Sequence, residues 1–310
     1  MSSASLKIAA LFPGQGSQVV GMGSAVAEKY KVAEEVLSEA DGVVPGLRRL
    51  MAEGPLDELT LTANLQPALV AASVAAYRAW REATGLSPAY AAGHSLGEYS
   101  AHVAAGTLGL ADAVRLVRKR GQLMQDAVAP GVGAMAAVLN ADLGAIRAAC
   151  EGANGVAEIA NLNAPAQTVI SGEKEAVGRA SATLKSGGAR VIPLKVSAPF
   201  HCSLMQPARD GLTPDLRGVE LRDMAFPVVA NVSADLVSDP LDVPDLLAAQ
   251  ITGAVRWVQG VQRLDELGVT TWVEFGPGTV LKGLVERIVP GADVRSVHTP
   301  DDIQTWLEGA

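Results

Sequence analysis

The stretch Tyr90-Ala-Ala-Gly-His-Ser-Leu-Gly-Glu98 decides the fold prediction for this chain. Tyr90–Ala92 is a short strand candidate, and the residues after Gly97 predict a helix that continues to about Ala105. The chain therefore turns sharply between the two elements. An earlier segment has the same character, because the strand candidate Ile8–Phe12 runs directly into a glycine-rich turn. A strand, a sharp turn and a helix, repeated along the chain, are typical of a parallel α/β sheet.

A different order of elements is predicted between about residues 130 and 197. The elements are a strand at Ala134–Leu139, a helix at Leu143–Cys150, strands at Val156–Ala160 and Thr168–Ser171, a helix at Lys174–Lys185 and a strand at Arg190–Val196. This β-α-β-β-α-β order is that of a ferredoxin-like unit. We therefore predict an α/β hydrolase-like catalytic domain of residues 1–128 and 198–310, into which a ferredoxin-like small domain of residues 129–197 is inserted.

The composition argues against several classes of protein. The 310 residues are 49% hydrophobic and 19% charged, which suits a globular protein with a sizeable core. The net charge of −8 argues against a nucleic-acid binder and gives no support to binding an anionic membrane. The longest apolar stretch, Ala68–Tyr77, is far shorter than the roughly 20 residues of a membrane span. Cys150 and Cys202 lack metal-ligand spacing and the start lacks a signal-peptide core, so we expect a cytoplasmic protein.

Ser95 is the candidate nucleophile. Residues 93–97 match the pattern G-x-S-x-G, in which small residues on both sides let the chain turn tightly and expose the serine hydroxyl. The N–H of the next residue then points at the oxyanion that forms when the serine attacks a carbonyl. The alternative is that Ser95 only caps the following helix. The strand before the turn and the helix after it favour the chemical role.

A nucleophilic serine needs a base, and the chain has four histidines. His94 adjoins the serine, so the turn should direct its side chain elsewhere, and His102 lies within the predicted helix. His201 and His298 remain as candidates. His201 follows the segment in which the chain returns from the small domain to the main domain, and ligands often bind at such junctions.

Arg120 is a polar residue on an apolar helix face. In the helix predicted from about Ala111 to Val128, Arg120 lies near the middle of the apolar stripe. A buried guanidinium needs a partner, because an unpaired buried charge costs several kcal/mol. That partner is either a structural Asp or Glu or an anionic ligand, and the planar guanidinium suits bidentate contact with a carboxylate. Beside a nucleophilic serine, it suggests an acyl substrate that ends in a carboxylate.

Seven blocks of sequence together resemble the malonyl-CoA:acyl carrier protein transacylase family. They occur in the family's order and span about residues 12 to 278. The blocks are Phe12-Pro-Gly-Gln-Gly-Ser-Gln18, Gly93-His-Ser-Leu-Gly-Glu98, Arg120-Gly121 with Met124-Gln125, Asn161-Leu-Asn-Ala-Pro165 with Val169-Ile-Ser-Gly172, Pro199-Phe-His201, Gln250 with Val255-Arg-Trp257, and Glu274-Phe-Gly-Pro-Gly278. Ala254 departs from the proline that the family often has at that position.

The resemblance implies the catalytic roles. Ser95 would attack the thioester carbonyl of malonyl-CoA while His201 takes its proton. Gln250 would orient His201 by accepting a hydrogen bond, in place of the aspartate of a triad. The thiol of the phosphopantetheine arm on acyl carrier protein would then take the malonyl group from Ser95, as in fatty acid biosynthesis.

The resemblance also implies the binding groups. Backbone N–H groups of Gln15 and Leu96 would form the oxyanion hole, and Arg120 would hold the malonyl carboxylate. No metal or redox cofactor is expected, since coenzyme A enters only as the thioester substrate. We expect malonyl-CoA and acyl carrier protein as partners, no nucleic acid or membrane, and a monomer.

Three other functional hypotheses remain open at this point. In an esterase or thioesterase of the α/β-hydrolase class, Ser95 would work with His298 and with Asp235 or Asp239. A second reading is a catalytically silent docking protein for carrier domains. The third keeps the chemistry and changes the context, to the acyltransferase subunit of a malonate decarboxylase or an acyltransferase that serves a polyketide synthase.

Overall fold

The computed structural model describes residues 6–308, so residues 1–5 and 309–310 of the predicted main domain lie outside the described part. The strands are β1 (Ile8–Phe12), β2 (Tyr90–Gly93), β3 (Gly133–Leu139), β4 (Ala157–Ala164), β5 (Gln167–Glu173), β6 (Arg190–Pro193), β7 (Val228–Val229), β8 (Leu236–Val237), β9 (Thr271–Phe275) and β10 (Asp293–Val297). The α-helices are α1 (Ser24–Lys29), α2 (Lys31–Val43), α3 (Leu47–Glu53), α4 (Leu56–Thr60), α5 (Thr62–Thr84), α6 (Gly97–Ala105), α7 (Leu110–Asp126), α8 (Leu143–Glu151), α9 (Lys174–Ser186), α10 (Gln206–Gly218), α11 (Val243–Thr252), α12 (Trp257–Glu266), α13 (Val280–Ile288) and α14 (Pro300–Glu308).

The main sheet has six strands in the order β10-β9-β1-β2-β7-β8. All neighbouring pairs are parallel except β7 with β8, which is antiparallel. In the register of β1 with β2, Phe12 lies beside Gly93. The turns that follow these two strands therefore emerge side by side at one edge of the sheet. Ligands of open α/β sheets bind at this carboxyl edge.

The second sheet has the order β4-β5-β3-β6 and is antiparallel throughout. Its strands and the two helices α8 and α9 follow the predicted β-α-β-β-α-β order, and all four strands lie within residues 133–193. The predicted fold class, a mostly parallel α/β sheet with a ferredoxin-like antiparallel unit, is confirmed. The domain boundaries at residues 128/129 and 197/198 stay a prediction.

Strand β4 links the two sheets' regions. It extends to Ala164, four residues beyond the predicted end, because its second half pairs with a segment near α12 as well as with β5. The N–H of Leu162 donates to the Val255 carbonyl at 2.9 Å, and the N–H of Val255 donates to the Ala160 carbonyl at 2.8 Å. These backbone hydrogen bonds join β4, at one edge of the antiparallel sheet, to the segment at Val255 that precedes α12.

Helix α5 is the central helix of the core. Sixteen of its 23 residues are buried, as expected for a helix that is apolar nearly all round. Its Tyr77 and Trp80 pack against Phe12 and Phe275 from the adjacent strands β1 and β9, with ring centroids 5.1 to 5.9 Å apart. Among residues 6–308, no helix is long and apolar enough to cross a membrane.

Gly97 allows helix α6 to approach strand β1 closely, and its replacement tests this packing. A Cβ added at Gly97 would lie 1.9 Å from the carbonyl oxygen of Phe12. We expect Gly97→Ala to lower the free energy of unfolding by at least about 1–3 kcal/mol, because the backbone of α6 must move away from β1. Thermal unfolding followed by circular dichroism measures the change.

Gly42→Ala is the matched control, because Gly42 also lies in a helix but has nothing within 4 Å of an added Cβ. We expect it to be neutral or to stabilise the protein by up to about 1 kcal/mol, since alanine favours helix more than glycine does. Equal unfolding temperatures for the two variants would contradict the close approach of α6 to β1.

Candidate active site

The turn between β2 and α6 presents Ser95 in a left-handed backbone conformation, with φ of +52°. Such a φ is uncommon for a residue other than glycine and has to be held by its surroundings. A Cβ added at Gly93 would lie 1.9 Å from the carbonyl carbon of Gly97, so the turn closes on itself. The two glycines of the G-x-S-x-G pattern are thus explained by the space available.

Two side chains hold the backbone of Ser95 from opposite sides. Its N–H donates to Oδ1 of Asn231 at 2.6 Å, and its carbonyl accepts from Nε2 of Gln250 at 2.8 Å. Nδ2 of Asn231 also donates to the Gly93 carbonyl at 2.7 Å. Sequence reasoning missed Asn231. The only signal was its place just after the short apolar run that forms β7, at the same edge of the sheet as Ser95.

The hydroxyl of Ser95 and the imidazole of His201 are hydrogen-bonded, with 2.7 Å between Oγ and Nε2. The other ring nitrogen, Nδ1, lies 2.9 Å from the backbone carbonyl of Gln250. A carbonyl can only accept, so Nδ1 carries the proton and Nε2 is free to accept from the serine hydroxyl. Burial and the nearby positive charge of Arg120 lower the pKa of His201 to about 3. The imidazole is therefore neutral, as a general base has to be.

Gln250 orients His201, but through its backbone carbonyl and not through its side chain. This corrects the expected comparison with a triad aspartate, in which a side-chain oxygen accepts the hydrogen bond. The amide instead accepts from Arg120 at 3.0 Å through Oε1, and donates through Nε2 to Ser95 and, at 2.7 Å, to Glu98. The side-chain amide thus binds Arg120, Ser95 and Glu98, while the main-chain carbonyl of Gln250 meets the imidazole.

The guanidinium of Arg120 is 1% exposed and reaches the nucleophile. Nη1 donates to Oε1 of Gln66 at 2.9 Å, while Nη2 donates to Oε1 of Gln250 and to Oγ of Ser95, the latter at 3.1 Å. Within residues 6–308, Arg120 has no carboxylate within ion-pair distance. Its charge faces neutral amides and a hydroxyl, which leaves an anionic ligand as the partner that would neutralise it.

The two backbone N–H groups expected to form an oxyanion hole lie at the ends of adjacent strands. Two turn residues separate Gln15 from the end of β1, and two separate Leu96 from the end of β2, at the edge where Phe12 and Gly93 are paired. Neither N–H makes a hydrogen bond to a group in the described part of the chain. Both groups are thus available as donors, which is what an oxyanion needs.

One cavity of about 420 Å³ brings the candidate residues together. Ser95, His201 and Arg120 all line it, and so does Gln15. The wall on the side of the antiparallel sheet includes Met135 of β3, Asn161 of β4 and residues 194–197, which follow β6. The sequence-predicted nucleophile, base and cation therefore converge in one crevice that both sheets' regions help to form.

The remaining histidines of the sequence analysis lie in other surroundings. His94 is among the residues that line the cavity, but its side chain is directed to other groups, as expected, since its Nε2 is 2.8 Å from Oδ1 of Asn163 and its ring packs on Trp257. His298 lines a separate cavity, with Nδ1 3.4 Å from the Asp302 carboxylate. The hydrolase reading required His298 to serve Ser95, and the structure does not bring them together.

The fold and the site define a class of enzyme: α/β proteins in which a serine at a sharp strand-to-helix turn attacks an acyl carbonyl. Residues 10–298 match the family model of the acyl transferase domain. The malonyl CoA-acyl carrier protein transacylases of Bacillus subtilis and Escherichia coli K12 are each 44% identical to this chain, over 97% of its length and 96% and 99% of theirs. The chain belongs to the malonyl CoA-acyl carrier protein transacylase family, and it is an acyltransferase.

Solved structures of similar proteins have the same fold. The acyl carrier protein S-malonyltransferase of Vibrio cholerae superimposes with a TM-score of 0.94 at 43% identity, over 97% of this chain and 99% of that one. A malonyl transacylase solved in complex with a type II polyketide synthase acyl carrier protein has the same TM-score and identity, over 98% of this chain and 100% of that one.

The lowered pKa of His201 predicts how the reactivity of Ser95 depends on pH. Because the folded protein keeps the imidazole neutral as the pH falls through the ordinary histidine value of 6.5, the base stays competent there. We expect the rate at which a fluorophosphonate labels Ser95 to show no inflection near that value. Circular dichroism at each pH controls for unfolding, and a labelling rate that follows a pKa between about 6 and 7 would contradict the neutral, desolvated imidazole.

Proposed function

We propose that this protein transfers a malonyl group from malonyl-CoA to the phosphopantetheine thiol of acyl carrier protein, through a malonyl ester of Ser95. The observation that carries the proposal is the placement of one hydroxyl oxygen between a neutral imidazole and a buried cation. Oγ of Ser95 lies 2.7 Å from Nε2 of His201 and 3.1 Å from Nη2 of Arg120. The same transfer is named in the relatives from Bacillus subtilis and Escherichia coli.

The first half of the reaction loads the serine. Oγ of Ser95 attacks the thioester carbonyl while its proton passes to Nε2 of His201, and the oxyanion that forms accepts from the N–H groups of Gln15 and Leu96. The carbon–sulfur bond then breaks, and the departing sulfur of coenzyme A takes the proton back from His201. The second half runs the same steps in reverse, with the thiol of the carrier protein as nucleophile. These steps call for no metal or redox cofactor.

The position of Arg120 supports a short dicarboxylic acyl group. Nη2 is within hydrogen-bond distance of the nucleophile itself, so a carboxylate bound there lies close to the carbonyl under attack. In a malonyl group, one methylene separates the carboxylate from the thioester carbonyl. With that carbonyl at Oγ of Ser95, the carboxylate of a longer diacid would lie beyond the Arg120 guanidinium. Leu65, Met124 and Phe200 also line the cavity, and these apolar side chains suit a compact acyl group.

We also propose the cellular compartment and the pathway in which the protein acts. Transfer of malonyl units to a carrier protein supplies fatty acid biosynthesis, and we place it in the cytoplasm, in keeping with the absence of a membrane-crossing helix among residues 6–308. We also propose that the protein acts as a monomer, because one chain supplies the nucleophile, the base, the cation and the oxyanion donors.

Replacement of Arg120 tests the substrate. In a transfer assay with malonyl-CoA, methylmalonyl-CoA and acetyl-CoA, we expect the wild-type protein to prefer malonyl-CoA. Arg120→Ala should lower kcat/KM for malonyl-CoA by about 10²-fold or more, because a charge-assisted bidentate contact is lost, and should gain some acetyl transfer.

Arg115→Ala is the matched control for Arg120→Ala. Arg115 lies on the same helix α7, but its side chain is 61% exposed and, among residues 6–308, forms an ion pair only with Asp112. We expect wild-type kinetics for this variant, because exposed ion pairs contribute little. Equal malonyl rates in the wild type and in Arg120→Ala would refute the assigned role of Arg120.

Histidine replacements test the base and separate transfer from hydrolysis or silent docking. After incubation with malonyl-CoA, intact mass spectrometry of the wild type should show an added malonyl group, and peptide mapping should place it on Ser95. We expect His201→Ala to lose this labelling by about 10²-fold or more in rate, and His298→Ala to retain it. Loss of labelling in His298→Ala alone, or no labelling of the wild type after prolonged incubation, would overturn the proposal.

A further inference from the structure

Glu98 is a fully buried carboxylate that no step of the proposed reaction uses. It is 0% exposed and belongs to the first turn of α6, three residues after Ser95. A negative charge is favourable at the N-terminal end of a helix, but this side chain does not point into solvent as most glutamates there do. It reaches beneath the Ser95 turn toward two groups that hold that turn.

One oxygen of Glu98 accepts from both of these groups. Oε2 accepts from Nε2 of Gln250 at 2.7 Å and from the backbone N–H of Asn231 at 3.1 Å. Gln250 and Asn231 are the residues whose side chains hold the carbonyl and the N–H of Ser95, respectively. The left-handed backbone of Ser95 is therefore fixed by two side chains that share a single buried anchor.

We infer that Glu98 is a positioning residue for the nucleophile: through Gln250 and Asn231, its Oε2 keeps the Ser95 hydroxyl within hydrogen-bond reach of His201. The inference rests on the proposed function only in taking Ser95 as the nucleophile. It assigns to Glu98 an acceptor role and not a charge role, because no described group donates to Oε1 and no described cation contacts the carboxylate within ion-pair distance.

The ionisation of Glu98 is consistent with an acceptor role. Burial raises the pKa of Glu98 to about 7, against the hydrogen bonds from Gln250 and Asn231 and the charge of Arg120, which lower it. A proton on Oε1 would leave Oε2 able to accept both hydrogen bonds. The anchor thus persists in either state, and a neutral amide with its oxygen at the position of Oε2 should replace it.

Two substitutions separate the acceptor from the charge. Glu98→Gln keeps an oxygen at the position of Oε2 and removes the charge, while Glu98→Met keeps a similar length and removes the acceptor. The first measurement is the rate at which a fluorophosphonate labels Ser95, which needs no malonyl substrate. We expect Glu98→Gln to stay within about threefold of the wild type and Glu98→Met to fall by about 10²-fold, since small displacements of a reacting group cost that much.

Glu274→Gln is the matched control for neutralising a buried glutamate. Glu274 is also 0% exposed, burial also raises its pKa to about 7, and its oxygens accept from the N–H groups of Leu281 and Lys282 at the start of α13, not from groups that hold Ser95. We expect wild-type labelling for this variant. Thermal unfolding of all variants establishes that each one is folded.

A double-mutant cycle tests whether Glu98 acts through Gln250. Once Gln250→Ala has removed the shared amide, adding Glu98→Met should slow labelling by less than Glu98→Met does in the wild-type background. The kinetics of malonyl transfer give a second readout, in which Glu98→Met should lower kcat with KM for malonyl-CoA within about threefold of the wild type.

Three results would overturn the inference: wild-type labelling of folded Glu98→Met, equal losses in Glu98→Gln and Glu98→Met, or fully multiplicative effects in the double mutant. Wild-type labelling of Glu98→Met would show that the hydrogen bonds to Oε2 are not needed. Equal losses in the two variants would show that the charge of Glu98 matters and not its acceptor oxygen. Fully multiplicative effects would show that Glu98 does not act through Gln250. Failure of the wild type to transfer malonyl would refute the proposed function instead, since fluorophosphonate labelling would still report on Ser95.

Discussion

The left-handed turn at Ser95 is the constraint on which the rest of the site depends. The turn lies so close to the ends of β1 and β2 that neither Gly93 nor Gly97 has room for a Cβ, and Ser95 itself adopts a φ of +52°. A strained backbone persists only where its surroundings over-determine it. Here both polar groups of the Ser95 main chain are bound by side chains from neighbouring elements. The hydroxyl is thereby held against His201 before any substrate arrives.

Burial determines the electrostatics of the crevice. The imidazole of His201 is desolvated and close to Arg120, so its pKa is lowered and it stays neutral. Arg120 is surrounded by amide oxygens and a hydroxyl, with no carboxylate at ion-pair distance among residues 6–308, so the crevice holds a buried cation that no described acidic side chain neutralises by direct contact. The nearest buried acid, Glu98, is separated from the guanidinium by the Gln250 amide. The Gln250 amide is hydrogen-bonded to both the Arg120 guanidinium and the Glu98 carboxyl group. Because the amide is neutral, it does not reduce the attraction of Arg120 for an anion.

Sequence reasoning reached the elements and the residues that chemistry demands, and it missed the contacts that position them. The G-x-S-x-G spacing, the apolar stripe around Arg120 and the β-α-β-β-α-β order are local patterns, and each corresponds to the structure. Asn231 escaped notice because an asparagine after a short apolar run carries no pattern of its own. Gln250 was assigned to the right neighbour as a hydrogen-bond acceptor, but a sequence does not reveal whether a main-chain or a side-chain oxygen will face the imidazole.

The sequence by itself determined the strand-turn-helix around Ser95 and the class of chemistry, because glycine spacing acts over a few residues. For Arg120, helical periodicity predicted burial and left open whether its partner is a protein carboxylate or an anionic ligand. Local patterns left His201 and His298 open as the base, and the family resemblance favoured His201. The tertiary structure showed that His201 meets the serine, and only the tertiary structure showed how Glu98, Gln250 and Asn231 hold the serine turn. Ser95 and Asn231 are 136 positions apart in the chain, and Glu98 and Gln250 are 152 positions apart. Glu98 and Asn231 meet because the parallel strands β2 and β7 bring their carboxyl ends to one edge of the sheet, and helix α11 adds Gln250 there. That juxtaposition depends on strand order and helix packing, which no local pattern encodes.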